Sequence, residues 1–384
     1  RFPEFSGEWS SQPLTDFMNF KNGLNPDAKR FGRGTKFISV MDILNNQYIC
    51  YDNIRASVEL QDGDIETYGV DYGDILFQRS SETLEDVGRA NVYLDSKPAI
   101  FGGFVIRGKS KGNYNPLFFR YLLASPTARK RIIVKGAGAQ HFNIGQDGLS
   151  KVSLDIPRLS EQEKIGKLLQ CVDARIATQN KIIEDLKKLK SAIIHRCYSS
   201  QTNMIPLSEL LKQCSDRNRS GSDLQVLSVS NKYGFIAQSN QFEDREVASD
   251  DTSNYKVVKK GMFAYNPARI NVGSIALYEM DGNGIVSPMY VCFTTKSELL
   301  PSYLKYYFAS QTFKHEMYKR LEGSVRLCLT FEELCNIEIH LPSIEQQKNI
   351  SKYISKIENN LSLVDSIFSK YQQQRRYLLS QMFI

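Results

Sequence analysis

A chain of 384 residues, 24% charged and 41% hydrophobic, is too long for one ordinary core and too apolar for a disordered polymer, so two or three folded domains are expected. The net charge of +7, from 49 basic and 42 acidic residues, admits a polyanionic partner without requiring one. No apolar run approaches the ~20 residues of a membrane span, the opening residues show no secretory-signal pattern, and the seven scattered cysteines form no C-x-x-C pair. A cytoplasmic chain with no membrane segment, disulfide scaffold or structural zinc is the expectation.

In chain order, Pro13-Leu14-Thr15-Asp16-Phe17 opens the first globular part. Thr35–Val40 and Asp74–Arg79 read as strands, the second entered by the turn at Tyr72-Gly73. Ala99–Arg107 is a further apolar run broken by Gly102-Gly103. From Pro116 the period changes to that of a helix, ending near Ser125-Pro126, and a second short helix leads into the basic run Arg129-Lys130-Arg131. A glycine-containing loop, Lys135–Asn143, and a strand, Val152–Ile156, follow. Short strands mixed with a few helices predict an α+β domain.

From Pro157 the chain enters a long amphipathic helix. A proline and a polar residue precede a Glu/Gln-rich first turn, which suits the positive end of the helix dipole. Apolar residues then recur at Ile165, Val172, Leu186 and Ile193, with Gln179 in the same register. At about 1.5 Å per residue, ~35 residues make a rod of roughly 50 Å.

Everything then repeats. A shift of 185 residues lays Pro342 on Pro157, Gln347 on Gln162 and Ile350 on Ile165, and it lays P-S-Y-L-K-Y-Y-F-A-S from Pro301 on P-L-F-F-R-Y-L-L-A-S from Pro116. A period that long marks a duplicated domain and not a solenoid unit. The expected organisation is domain 1–156, helix 157–198, domain 199–341, helix 342–384, with the two rods packed antiparallel as a coiled coil about a pseudo-twofold axis.

Nothing in this order carries a familiar catalytic centre. There is no G-x-x-x-x-G-K-[ST] and no G-x-G-x-x-G after a strand. Phe101-Gly102-Gly103 and Asn266-Pro267-Ala268-Arg269 each match only part of the motif pair of adenine methyltransferases. Four dispersed histidines do not make a metal site. The chain reads as a binder that is not an enzyme.

Two domains on a rigid spacer suit a ligand with two sites at a fixed separation, and DNA half-sites repeat at roughly 34–36 Å. Base edges are read by bidentate Arg, Asn and Gln side chains, and phosphates by cations. Candidate DNA-binding residues on expected loops are Gln78, Arg79, Lys135, Gln140, His141 and Asn143 in the first domain. In the second they are Asn266, Arg269, Asn271, Arg320 and Arg326. For any one of them a solvated surface side chain is the bland alternative; Arg326 overlying His141, and Arg320 overlying Lys135, argue for the group.

P-R-L-S-E-Q-E-K-I and P-S-I-E-Q-Q-K-N-I, each leading into a long helix, resemble the conserved regions of type I restriction–modification specificity subunits. Arg1–Trp9 resembles their usual opening, and Tyr265–Ser274 resembles a common target-recognition sequence. The resemblance implies two target-recognition domains that each read one half of a split, asymmetric DNA site, with the helix pair as a ruler for the spacer. It also implies two docked methyltransferase (modification) subunits, and motor–nuclease (restriction) subunits that join for cleavage. S-adenosylmethionine, ATP and Mg would then be held by those partners, with no cofactor on this chain. Helix positions free to face the methyltransferases are Leu169, Ile176, Ile183, Ile354, Leu361 and Phe368, although they equally suit the seam between the rods. An apolar stripe awaiting partners leaves homodimerisation of the isolated chain open. A competing reading from another class is a coiled-coil scaffold joining two protein-binding domains without DNA specificity.

Overall fold

Residues 2–200, 202–219, 221, 224–238, 251–323 and 327–383 are described by a computed structural model of the chain. It divides into two compact units, Arg1–Asn180 with Ser366–Ile384, and Lys181–Asp365. Both long helices are therefore shared between units, so each unit holds one α+β domain and one stretch of each helix.

In unit 1 a short antiparallel pair, Ser10–Pro13 with Ser153–Ile156, closes the base of the domain. An antiparallel four-stranded sheet runs in the order Met18–Asn22, Val105–Ser110, Ile75–Gln78, Ala90–Val92. A second sheet has the order Ala56–Val58, Phe31–Ile38, Ala99–Phe101, Gly69–Val70, with its central pair parallel. Unit 2 repeats this plan. Met204–Pro206 pairs with Glu338–His340. One sheet runs Leu211–Cys214, Val291–Thr295, Phe263–Tyr265, Ile275–Leu277. The other runs Gly234–Ala237, Gln225–Ser230, Gly284–Val286, Lys256–Val258, again with a parallel central pair.

Local chemistry sets the element boundaries. The expected strand Thr35–Val40 ends at Ile38, because Ser39 caps a short helix, Val40–Asn45, in a capping box with Asp42. The β-branched Val40 reads as strand, but the reciprocal Ser39–Asp42 bonds satisfy the first helical amides. Pro116–Ala124 starts on the Asn115 cap, and Pro126–Ile133 on the Ser125 cap. Ser310 repeats the Ser125 cap ahead of Gln311–Lys319.

The long helices span Leu159–Tyr198 and Ile344–Gln381. Each begins two residues after its proline, whose missing N–H and fixed φ resist earlier propagation. The side chain of Gln162, almost wholly buried, accepts from Asn115 N at 3.0 Å and donates to Pro157 O at 2.9 Å. Gln347 does the same in unit 2, accepting from Leu300 N at 2.8 Å and donating to Pro342 O and Glu298 O at 2.9 Å. The repeated E-Q or Q-Q of the sequence is thus a clamp between helix start and domain.

A second repeated clamp lies about three turns further along. Asp173 accepts from Tyr121 at 2.9 Å, Arg120 at 3.1 Å and Arg375 at 2.5 Å. In unit 2 Glu358, at the same offset, accepts from Tyr306 at 2.9 Å and Lys190 at 2.6 Å. The third repeated anchor is aromatic. Phe383 enters the unit 1 core against Phe118 and Trp9, and Tyr198 enters the unit 2 core against Tyr303, to whose carbonyl it donates at 2.7 Å.

Candidate nucleic-acid interface

In unit 1 a two-residue ladder, Ser80–Ser81 with Phe142–Asn143, gathers most of the expected reading residues. Ile144 N donates to Arg79 O, and Ser80 Oγ to Asn143 Oδ1. Ala137 and Asn143 exchange both backbone bonds at 2.9 Å, so residues 138–141 form a closed tip that presents Gln140 and His141 to solvent. Gly138 makes that tip possible: its φ is +144°, and a Cβ there would lie 2.0 Å from His141 O. Lys135 stands exposed where the loop begins. Arg79 is half-buried and donates to Gly103 O at 3.3 Å, which leaves part of its fork free.

Gln78 is a correction. It is buried, with its amide donating to Ser80 O at 2.9 Å, so it shapes the turn into the rim and is not a surface reader. The reason is that its strand, Ile75–Gln78, is covered on both faces, so that all four of its residues are buried.

Unit 2 carries an open cleft of about 500 Å³ where its two sheets meet, lined by residues that include Asn231, Gln238, Tyr255, Asn266, Arg269 and Tyr290. Asn266 and Arg269 are brought together by a turn after Phe263–Tyr265. Arg269 N donates to Asn266 O, Ser274 N to Arg269 O, and Ala268 N to Asn266 Oδ1. The turn is stitched to the neighbouring segment from both sides, since Leu329 N donates to Pro267 O and the Tyr265 hydroxyl to Leu329 O. Burial holds that phenol far above its ordinary range, so it stays a donor. The Arg269 side chain is exposed at the cleft.

The remaining candidates divide. Asn271 is half-buried on the same turn, its carbonyl 3.4 Å from the Tyr318 hydroxyl. Arg320 is tied to Glu316 at 2.6 Å and to that residue's carbonyl at 2.9 Å, one helical turn back, so it is not a free phosphate ligand. Bonds from Lys319 and Arg320 hold the Glu316 carboxyl below its ordinary range. Arg326 lies outside the described residues.

Two groups of residues were not read from the sequence. Tyr233 and Met289 are exposed, in a turn of unit 2 and on the cleft wall respectively. The Asn231-Lys232-Tyr233-Gly234 hairpin turn, with Gly234 at φ +67°, was a usable signal. A second cavity, in unit 1 and of about 610 Å³, is lined by five cations contributed from distant positions that no spacing links.

The helix positions also need correcting. Leu169 and Ile354 are fully buried in the cores of their own units, and Ile183 is buried as well, so these three face no partner. Ile176, Leu361 and Phe368 are half-buried. Each helix serves a domain on one side, so its most regular stripe turns inward. The exposed large apolar side chains are instead Ile182, Leu189, Ile344, Tyr353 and Leu363 in unit 2, and Leu159 and Tyr377 in unit 1.

A duplicated α+β framework that holds two unlike polar rims defines a two-domain recognition protein. Comparison with known proteins agrees. The model of the type I restriction modification DNA specificity domain matches residues 6–188 and 220–367. The type I restriction enzyme MjaVIII specificity subunit of Methanocaldococcus jannaschii is 25% identical over 398 residues, covering 94% of this chain and 88% of its own. The S subunit of the type I restriction–modification system of M. genitalium superposes with a TM-score of 0.61 at 15% identity, over 100% of this chain and 98% of that one. A chain from a structure concerned with complex assembly and conformational transition of the type I R-M system gives a TM-score of 0.57 at 13% identity, over 98% and 97%.

This chain belongs to the type I restriction–modification DNA specificity family. It is the specificity subunit of such a system, and DNA and the other subunits are its partners.

Proposed function

We propose that units 1 and 2 each read one half of a split, asymmetric DNA target, and that the paired long helices set the gap between the halves. One observation carries this reading. The anchors repeat at a constant offset of 185 (Gln162 and Gln347, Tyr121 and Tyr306, Asp173 and Glu358), while the rims they hold do not. Unit 1 offers a closed loop tip with Gln140 and His141, and unit 2 an open cleft with Arg269. Identical mountings with different reading surfaces fit two different half-sites at a fixed separation.

The reading residues are Arg79, Gln140, His141 and Asn143 in unit 1, with Lys135 for phosphate, and Asn266, Arg269 and Asn271 in unit 2. Antiparallel pairing of the rods is supported inside unit 1: from Asp173 to Arg175 on the first helix, the contact moves back from Arg375 to Tyr371 on the second. Two methyltransferase subunits dock on helix faces that carry exposed Ile182, Leu189 and Leu363, and restriction subunits join that complex. This chain does no chemistry; its partners hold S-adenosylmethionine, ATP and Mg.

The test is a map of methylated adenines in DNA from cells expressing this chain with the methyltransferase encoded beside it. A split motif with a constant gap that disappears on deleting the chain is expected. Methylation independent of the chain would remove the proposal and raise the scaffold reading.

A further inference from the structure

The second cavity of unit 1 lies away from the rim residues assigned above. Its walls come from the segment before Ala90–Val92, the two helices Pro116–Ala124 and Pro126–Ile133, the short helix Val40–Asn45 and the second long helix. Five cations line it, Arg89, Arg120, Arg129, Lys130 and Arg375, and Glu85 is the one carboxylate among the lining residues.

Their internal partners do not balance them. Arg120 and Arg375 share the single carboxylate of Asp173. Arg89 pairs with Asp86, but both side chains are more than a third exposed, and such a pair costs little to open. Lys130 is exposed. Arg129 spends Nη2 on the carbonyls of Glu85 and Val87, at 2.9 and 2.6 Å, and its Nη1 is buried with no partner among the described residues. Burial and then the Arg89 charge hold the Arg129 guanidinium down to about 10, and an anion between these two cations would offset the repulsion between them.

We propose that this cavity seats a phosphodiester of the DNA backbone flanking the half-site read by unit 1, with Arg89, Arg129 and Lys130 as its ligands. The inference rests on unit 1 reading DNA. Position favours a nucleic-acid phosphate over an acidic protein segment, because one segment joins cavity and rim. Glu85 and Arg89 form a wall of the cavity, while Leu84 and Val87 of the same segment underlie Gly136 of the 135–143 loop, within 3.2 Å of where its Cβ would be. Two of the three ligands are particular to unit 1. At the 185 offset Arg89 and Lys130 become Ser274 and His315, whereas Arg129 becomes Lys314; Lys305 and Lys190, in place of Arg120 and Arg375, pair with Glu279 and Glu358.

The test compares the assembled specificity–methyltransferase complex carrying wild-type chain, the double variant Arg89→Gln/Lys130→Gln, or Arg129→Lys. Each is titrated over a range of KCl with a duplex bearing the mapped target and with a scrambled duplex. The double variant should lower the slope of log K against log salt by about one to two, equally on both duplexes, with the preference between them unchanged. Arg129→Lys keeps the charge but loses the fork, so it should weaken binding and leave the slope nearly unchanged. An unchanged slope in the double variant overturns the phosphate site. Loss of methyltransferase assembly, read by mass, also overturns it and assigns the cavity to an acidic protein segment. If the wild-type complex does not distinguish target from scrambled DNA, the recognition reading fails, and the slopes on scrambled duplex still decide the cavity.

Discussion

Gln347 shows how much a single buried amide holds in this fold. It makes three bonds that join the start of a long helix to two loops of its unit, and its own exposure is 0%. Gln347→Ala leaves two carbonyls and an amide without partners, so a loss of roughly 2–4 kcal/mol is expected in urea unfolding. Phe383 is the aromatic counterpart. Phe383→Ala empties a site between Phe118 and Trp9 and should cost about 3–5 kcal/mol, measured the same way. Arg269 has a different role, being exposed at the cleft rim with its backbone pinned. Arg269→Ala should leave stability within about 0.5 kcal/mol and relax base preference in one half-site only. Equal loss at both half-sites in a binding selection would count against that assignment.

At the scale of elements, the helix Gln311–Lys319 is held at its C-terminal end by Glu316 with Lys319 and Arg320. The Glu316 carboxyl lies below its ordinary 4.5 in the folded chain, through bonds from Lys319 first and Arg320 second. A depressed carboxylate contributes stability that is fully present above the unfolded value and is lost as pH falls through the folded one. The stability gap between wild type and Glu316→Gln should therefore be constant near neutrality and shrink below about pH 4.5, as followed by thermal unfolding across pH. The same scale accounts for Arg320, which the sequence places on a loop as a phosphate ligand: a basic side chain one turn after a glutamate finds its partner within its own helix.

For the whole molecule, the repeat has a mechanical consequence. Clamps and aromatic anchors tie helix segments to each domain, so under the proposed split-site reading helix length and half-site recognition are separate variables. Removing one heptad from each long helix, about 10 Å of rise, should change the spacer in the methylation map and leave both half-site sequences intact. Altered half-site bases would contradict the ruler.

The sequence by itself determined the duplication, the α+β class and the two long helices, because those rest on patterns that repeat locally: a proline, a glutamine five residues on, an apolar period, all doubled at one offset. It also marked Arg269 and the 135–143 loop, whose glycines and turn residues advertise exposed backbone. Only the tertiary structure decided that Gln78, Leu169 and Ile354 are interior, since whether both faces of a strand are covered and which side of a helix meets its domain depend on what packs against them. The basic cavity of unit 1 was invisible for the same reason. Arg89, Arg129 and Arg375 are brought to one wall by the folding of a strand edge, a short helix and a long one, and charges so far apart in the chain are neighbours only once that core has closed.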